Sequence, residues 1–163
     1  TMDAKSSYGD REKKLEILKD PHTGAFAIIS LCCYFLLCVG IFSEMRTERL
    51  FAAALVFVFS RSLSGISVVS FQAAKNSGLL RTFQDGAQKR NVGIVLIIWL
   101  LAAGVGFYLT AGLCGVAEAV VGLAVFFYYY QFSRKQFGGI TGDLAGYFLQ
   151  LCELFMLAVL ALF

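Results

Sequence analysis

Five apolar stretches, separated by short polar segments, organise this chain. Two carry no charge at all: 23–43, with 21 residues, and 91–117, with 27. At ~1.5 Å of rise per residue, each is long enough to cross a hydrocarbon core of ~30 Å as a helix. Three more, 50–71, 116–132 and 144–163, are each interrupted by one ionisable residue, Arg61, Glu118 and Glu153 respectively. None alternates with a period of two, and backbone groups in lipid must find partners within a helix or a closed barrel, so the pattern predicts helices. The expected architecture is all-α, a polytopic membrane helix bundle of about five transmembrane helices. Residues 1–163 read as one membrane-embedded domain, with 1–22 a cytoplasmic segment and 23–163 the bundle. No internal repeat, low-complexity tract or flexible linker divides it.

Composition agrees with the pattern and charge adds an orientation. The 163 residues are 58% hydrophobic and 15% charged, with one Pro, far more apolar than a soluble domain. Threading the chain through five spans puts Lys5, Arg11, Lys13, Lys14, Lys19, Lys75, Arg81, Lys89, Arg90, Arg134 and Lys135 on one side, against Arg46 and Arg49 on the other. The positive-inside bias then makes the first side cytoplasmic and puts the C-terminus outside. The net charge of +3 is accordingly a topological signal, and no nucleic-acid partner is implied. Cys32, Cys33, Cys38, Cys114 and Cys152 lie in or beside apolar stretches without Cys-x-x-Cys spacing, which predicts reduced, packed thiols. The first twenty residues are polar and show no cleavable signal peptide.

The chemistry is sought among polar groups that a plain bundle would not contain. Asp10 is placed to cap a short helix carrying Leu15, Ile17 and Leu18, and Pro21 to stop it. That brings Asp3, Lys19, Asp20 and His22 to the mouth of the first span; His22, beside Pro21, reads as a surface residue. Arg61 lies half-way along its span, where a guanidinium costs at least ~2.5 kcal/mol, so it should face the bundle interior and meet Glu118 or Glu153. Asp143, Gly146, Gln150 and Glu153 recur at i, i+3, i+7 and i+10, a single stripe that should look inward. Gly138, Gly139 and Gly142 make a turn before it, read either as a plain cap or as backbone that approaches a ligand closely. Carboxylates that hold Mg²⁺ and cations that neutralise phosphate, gathered at one membrane face, are the groups used for phosphoryl or nucleotidyl transfer. A proton-coupled transporter or a structural membrane subunit is the non-enzymatic alternative, and it accounts less well for the basic loops.

A specific resemblance rests on "TMDAKSS" followed by "REKKLEILKDPHTGAF", on Ser60 and Arg61 with Lys75 and Gly78 downstream, and on "GGITGDLAGYFLQLCELF". These segments resemble the cobalamin synthases, the adenosylcobinamide-GDP ribazoletransferases. The resemblance implies a multi-pass enzyme of the inner membrane, with its active face cytoplasmic, in coenzyme B12 synthesis. Such an enzyme joins adenosylcobinamide-GDP to α-ribazole or its 5′-phosphate, releases GMP and uses Mg²⁺. It further implies that Thr1-Met2-Asp3 is the tail of an Asp-Gly-x-x-Asp-Thr-x-Asp motif. The chain is then expected to be the C-terminal two-thirds of a longer enzyme, incomplete without its N-terminal part. On this reading Asp3 is a catalytic residue and metal ligand, and Lys19 and Arg61 contact phosphate. Asp143 orients the attacking hydroxyl, takes its proton or ligates metal. Glu153 pairs with Arg61, and Asp20 has an orienting part. Lys75, Arg81, Lys89 and Arg90 either steer anionic substrates or meet lipid headgroups. A lipid-class CDP-alcohol phosphotransferase is the runner-up, although its Asp-Gly-x-x-Ala-Arg signature is absent here. The small-residue run "LAAGVGFYLTAGLCG" suits close helix packing within one chain or in a homo-oligomer.

Overall fold

A computed structural model describes residues 1–74 and 88–163. Lys75, Gly78 and Arg81 lie outside the described residues. Among those described are seven α-helices: α1 (Met2–Ser6), α2 (Arg11–Ile17), α3 (Ala25–Glu44), α4 (Leu50–Ser70), α5 (Lys89–Ala111), α6 (Leu113–Phe137) and α7 (Gly142–Leu162). The last five are long and apolar enough to cross a membrane. The chain is a multi-pass, all-α membrane protein.

Local chemistry sets the helix boundaries. The Asp10 carboxylate accepts the N–H of Lys13 at 3.0 Å and starts α2, which ends before Pro21. The largest departure from expectation is the border between the third and fourth spans. The charge-free run reaches residue 117, yet α5 stops at Ala111 and α6 begins at Leu113. Gly112 alone makes the turn, at φ 57 and ψ −128, a conformation that residues with a Cβ rarely adopt. Nothing in the run's hydropathy marks that reversal. At its other end α6 continues past Phe132 through Arg134 and Lys135, whose charges suit a helix C-terminus.

Helices α4, α5, α6 and α7 form the packed body. Its centre holds Val56, Phe59, Leu63, Phe107, Tyr129, Phe148, Cys152, Met156 and Leu160. Phe148 stacks on Tyr129 with ring centroids 4.9 Å apart and meets Phe126 edge-on at 5.6 Å. By contrast, α3 has no buried residue and packs chiefly on α1 and α7. Its exposed Phe35, Leu36 and Val39, like Ile94, Ile97, Ile98 and Trp99 of α5, form apolar faces of the kind that membrane-spanning helices carry. All five cysteines are free, but Cys152 alone is buried; Cys32 and Cys33 are exposed on α3 rather than packed.

One end of the bundle gathers the segments that the charge pattern assigned to a common side. Arg11 of α2 donates to the Lys135 carbonyl at 3.5 Å, and Lys14 hydrogen-bonds the Gln136 side chain. The end of α4 joins the α6–α7 turn there: Ala74 N–H donates to Ile140 O, and Ile140 N–H to Gln72 O, both at 2.9 Å. A Cβ on Gly139 would stand 2.5 Å from Gln72 O, so this close crossing of two backbones requires glycine. At the opposite end Arg49 donates to the Leu160 carbonyl at 2.5 Å.

Candidate functional site

The first five residues tie three long helices together. Thr1 donates its hydroxyl to the Asp143 carbonyl of α7 at 3.3 Å. Asp3 accepts the N–H groups of Gly24 and Ala27 at the start of α3, at 3.0 and 3.1 Å. The Lys5 ammonium reaches the hydroxyls of Tyr128 and Tyr147 at 3.4 and 3.5 Å and lies 5.6 Å from the Phe132 ring centre. Sequence reasoning counted Lys5 as one of many basic residues and missed this clamp. Contacts 123 and 142 residues apart leave no local signal.

Behind α1 lies a cavity of about 830 Å³, bounded by the 17–23 turn, α3 and α7. Its mouth is polar, with Thr1, Asp3, Asp20, His22, Thr23, Asp143 and Gln150. Its far part is apolar, with Leu37, Leu151, Leu154 and Phe155. The volume falls in the range of sites that enclose a small-molecule ligand, ~300–1,000 Å³. Three predicted site residues, Asp3, Asp20 and Asp143, therefore line the same cavity, from three different elements. The Asp20 carboxylate accepts the His22 N–H at 2.9 Å and lies 2.7 Å from His22 Nδ1; these bonds hold its pKa below the usual 3.8.

The Asp143 stripe faces this cavity rather than the packed core. Asp143, Gly146 and Gln150 line it and are exposed. At 100° per residue Glu153 lies about 80° round the helix from Asp143, and it turns toward α4 instead. There it pairs with Arg61 and accepts the Ser60 hydroxyl at 2.8 Å. Arg61 thus has the expected anionic partner, but not the buried setting: its side chain is 58% exposed and passes over the Phe57 ring at 5.7 Å. It sits at the edge of the face on which Ser60 and Ser64 are buried. Glu118, the other candidate partner, is fully buried in the body, and neither carboxylate oxygen has a hydrogen-bond partner among the described residues.

Neither predicted phosphate contact lines the cavity. Lys19 is exposed beside Asp20 at the rim, and Arg61 is held by Glu153. Lys89 and Arg90 are exposed at the start of α5. The glycine turn resolves mainly as a cap: Gly138 ends α6 at φ 77, Gly139 abuts the chain at 72–74, and the Thr141 hydroxyl accepts the Leu144 N–H at 3.2 Å to start α7. Gly142 does line the cavity.

No group of three or more His, Cys, Asp or Glu side chains among the described residues could hold a metal ion. The cavity wall offers three carboxylates and neither Lys nor Arg. Such a donor set fits a magnesium ion that takes one or two protein carboxylates and the rest of its oxygens from phosphate and water. It does not fit an all-protein cage.

Comparison with known proteins gives these carboxylates a family context. The sequence profile described as cobalamin-5-phosphate synthase matches residues 1–161. An adenosylcobinamide-GDP ribazoletransferase of Lachnoclostridium phytofermentans is 48% identical over 94% of this chain and 59% of its own length. Enzymes of the same name from Clostridium perfringens and Pseudomonas savastanoi pv. phaseolicola are 36% and 31% identical, over 93% and 95% of the chain and 61% and 63% of their own lengths. The chain thus spans about three-fifths of the length of the curated relatives it matches. No solved structure matches it. With the family profile running through the α1 carboxylate, the α3 wall and the α7 stripe alike, the chain belongs to the cobalamin-5-phosphate synthase family.

Proposed function

We propose that this chain carries the acceptor-side wall of an adenosylcobinamide-GDP ribazoletransferase, working at the cytoplasmic face of the inner membrane. One observation carries the reading: Asp3 and Asp143, on helices at opposite ends of the sequence, line one cavity with a polar mouth and an apolar depth. The relatives' name supplies adenosylcobinamide-GDP and a ribazole as substrates, and the resemblance makes the second α-ribazole or its 5′-phosphate.

In the reaction, a ribose hydroxyl of the ribazole attacks the cobinamide-side phosphorus of the diphosphate. A new P–O bond forms, the P–O bond to the guanosine phosphate breaks, and GMP leaves with the bond's electron pair. Asp143, exposed on the cavity wall, orients the hydroxyl and accepts its proton. Asp3 keeps lone pairs beyond its two backbone hydrogen bonds and is the candidate magnesium ligand. Bound Mg²⁺ would neutralise charge on the phosphate oxygens. Lys19 at the rim is the candidate phosphate contact, while Arg61, expected from the sequence to share that part, is held by Glu153 outside the cavity. Asp20 fixes the His22 side of the mouth, and Glu153 orients Arg61. Transfer is then mostly a matter of positioning and charge compensation.

The test is a transfer assay with the intact enzyme in membranes. GMP should appear only when adenosylcobinamide-GDP, ribazole and Mg²⁺ are all present. GMP release that ignores ribazole, or proceeds undiminished in excess chelator, would overturn the assignment.

A further inference from the structure

Helix α3 forms one wall of the cavity; none of its residues is fully buried, and it meets the body through α1 and α7, with Ile41 packed partly against the core. Its N-cap is Gly24, which has no side chain to satisfy the first N–H groups. The missing cap comes from Asp3, 21 residues earlier. In the usual capping box, one side chain bonds the N–H of the third helical residue and a second side chain bonds the N–H of the cap residue. Asp3 makes both bonds with one carboxylate, to Ala27 and to Gly24. Its negative charge also sits at the positive end of the α3 dipole. Asp3 belongs to a helix that Thr1 ties to α7 and Lys5 to both α6 and α7. The carboxylate thus joins the α3 wall to the segment tied to α6 and α7.

We propose that Asp3 is a positioning residue as well as a candidate ligand: it latches α3 in place and so sets the width of the cavity between α3 and α7. Gly24 is the other half of the latch. A Cβ there would stand 2.5 Å from Asp3 Oδ1 and 2.7 Å from Cγ, so a larger residue forces the carboxylate to shift from its place at the helix end. This inference rests on the functional reading above for its kinetic consequence, but its structural part stands apart from it.

Gly24→Ala makes the decisive variant, because it disturbs the latch and leaves the carboxylate present. In the intact enzyme in membranes, hydrogen exchange of the amides at positions 24 and 27 should rise roughly fivefold in Gly24→Ala and in Asp3→Ala, the factor matching the typical worth of an N-cap. Asp3→Asn, which keeps an acceptor oxygen, should restore most of the protection lost in Asp3→Ala. In the transfer assay Gly24→Ala should raise KM several-fold and leave kcat within about threefold. Wild-type exchange in Gly24→Ala, or faster exchange with KM unchanged, would overturn the latch. An inactive wild-type enzyme would instead sink the functional reading, while exchange would still decide the latch.

Discussion

The two sides of α7 are built for different purposes. One side carries Leu144, Phe148, Cys152, Met156 and Leu160, buried against α4 and α6. The other carries Asp143, Gly146, Gln150 and Leu154 and borders a cavity whose far wall, α3, has no buried residue. Helices in lipid gain little hydrophobic free energy from associating, so close packing and hydrogen bonding must hold them. The packed side has the packing. The open side is held by the contact of α3 with α7 and by the polar ties from α1. A single helix can thus anchor a rigid body and leave a ligand-sized space beside it.

The comparison breaks first at Phe148. Phe148→Ala removes a ring held between Tyr129 and Phe126. With the water-transfer contribution largely absent in lipid, the cavity cost remains, about 24 cal/mol per Å³ over roughly 100 Å³, or about 2 kcal/mol. Denaturation in detergent should show that loss, whereas Gln150→Ala on the open side should stay within about 0.5 kcal/mol of wild type. Glu153→Gln, where the two sides meet, should cost about 1 kcal/mol, since Arg61 is partly exposed and the pair is correspondingly weakened. Asp20 should give the smallest effect. Its hydrogen bonds from His22 depress its folded pKa, so its contribution is present above the unfolded value of 3.8 and fades as pH falls through the lower folded value. A slight drop in thermal midpoint on acidification below that range should vanish in Asp20→Asn.

These differences mark what the sequence discloses. The spans are legible because charge-free length is itself the physical requirement for crossing lipid. Their border at Gly112 is not, because a one-residue turn between apolar helices leaves hydropathy unchanged. That Arg61 needs an anionic partner follows from its position, but the choice of Glu153 over Glu118 depends on how α7 is rotated against α4. Asp3 and Asp143 were legible as candidates by type and location. The bonds from Thr1, Asp3 and Lys5 were not, since they join parts of the chain that only the fold brings together. The cation-free cavity wall was likewise hidden: the sequence groups Lys19 with Asp20, and the fold leaves the first at the rim and sets the second in the wall.

The central claim is that group transfer takes place at the open side of α7. Its most direct test is kcat of Asp143→Asn in the intact, folded enzyme. A loss of about 10²–10⁴-fold, the usual contribution of a positioned proton acceptor, with wild-type thermal stability is the predicted result. A kcat within about twofold of wild type would contradict it.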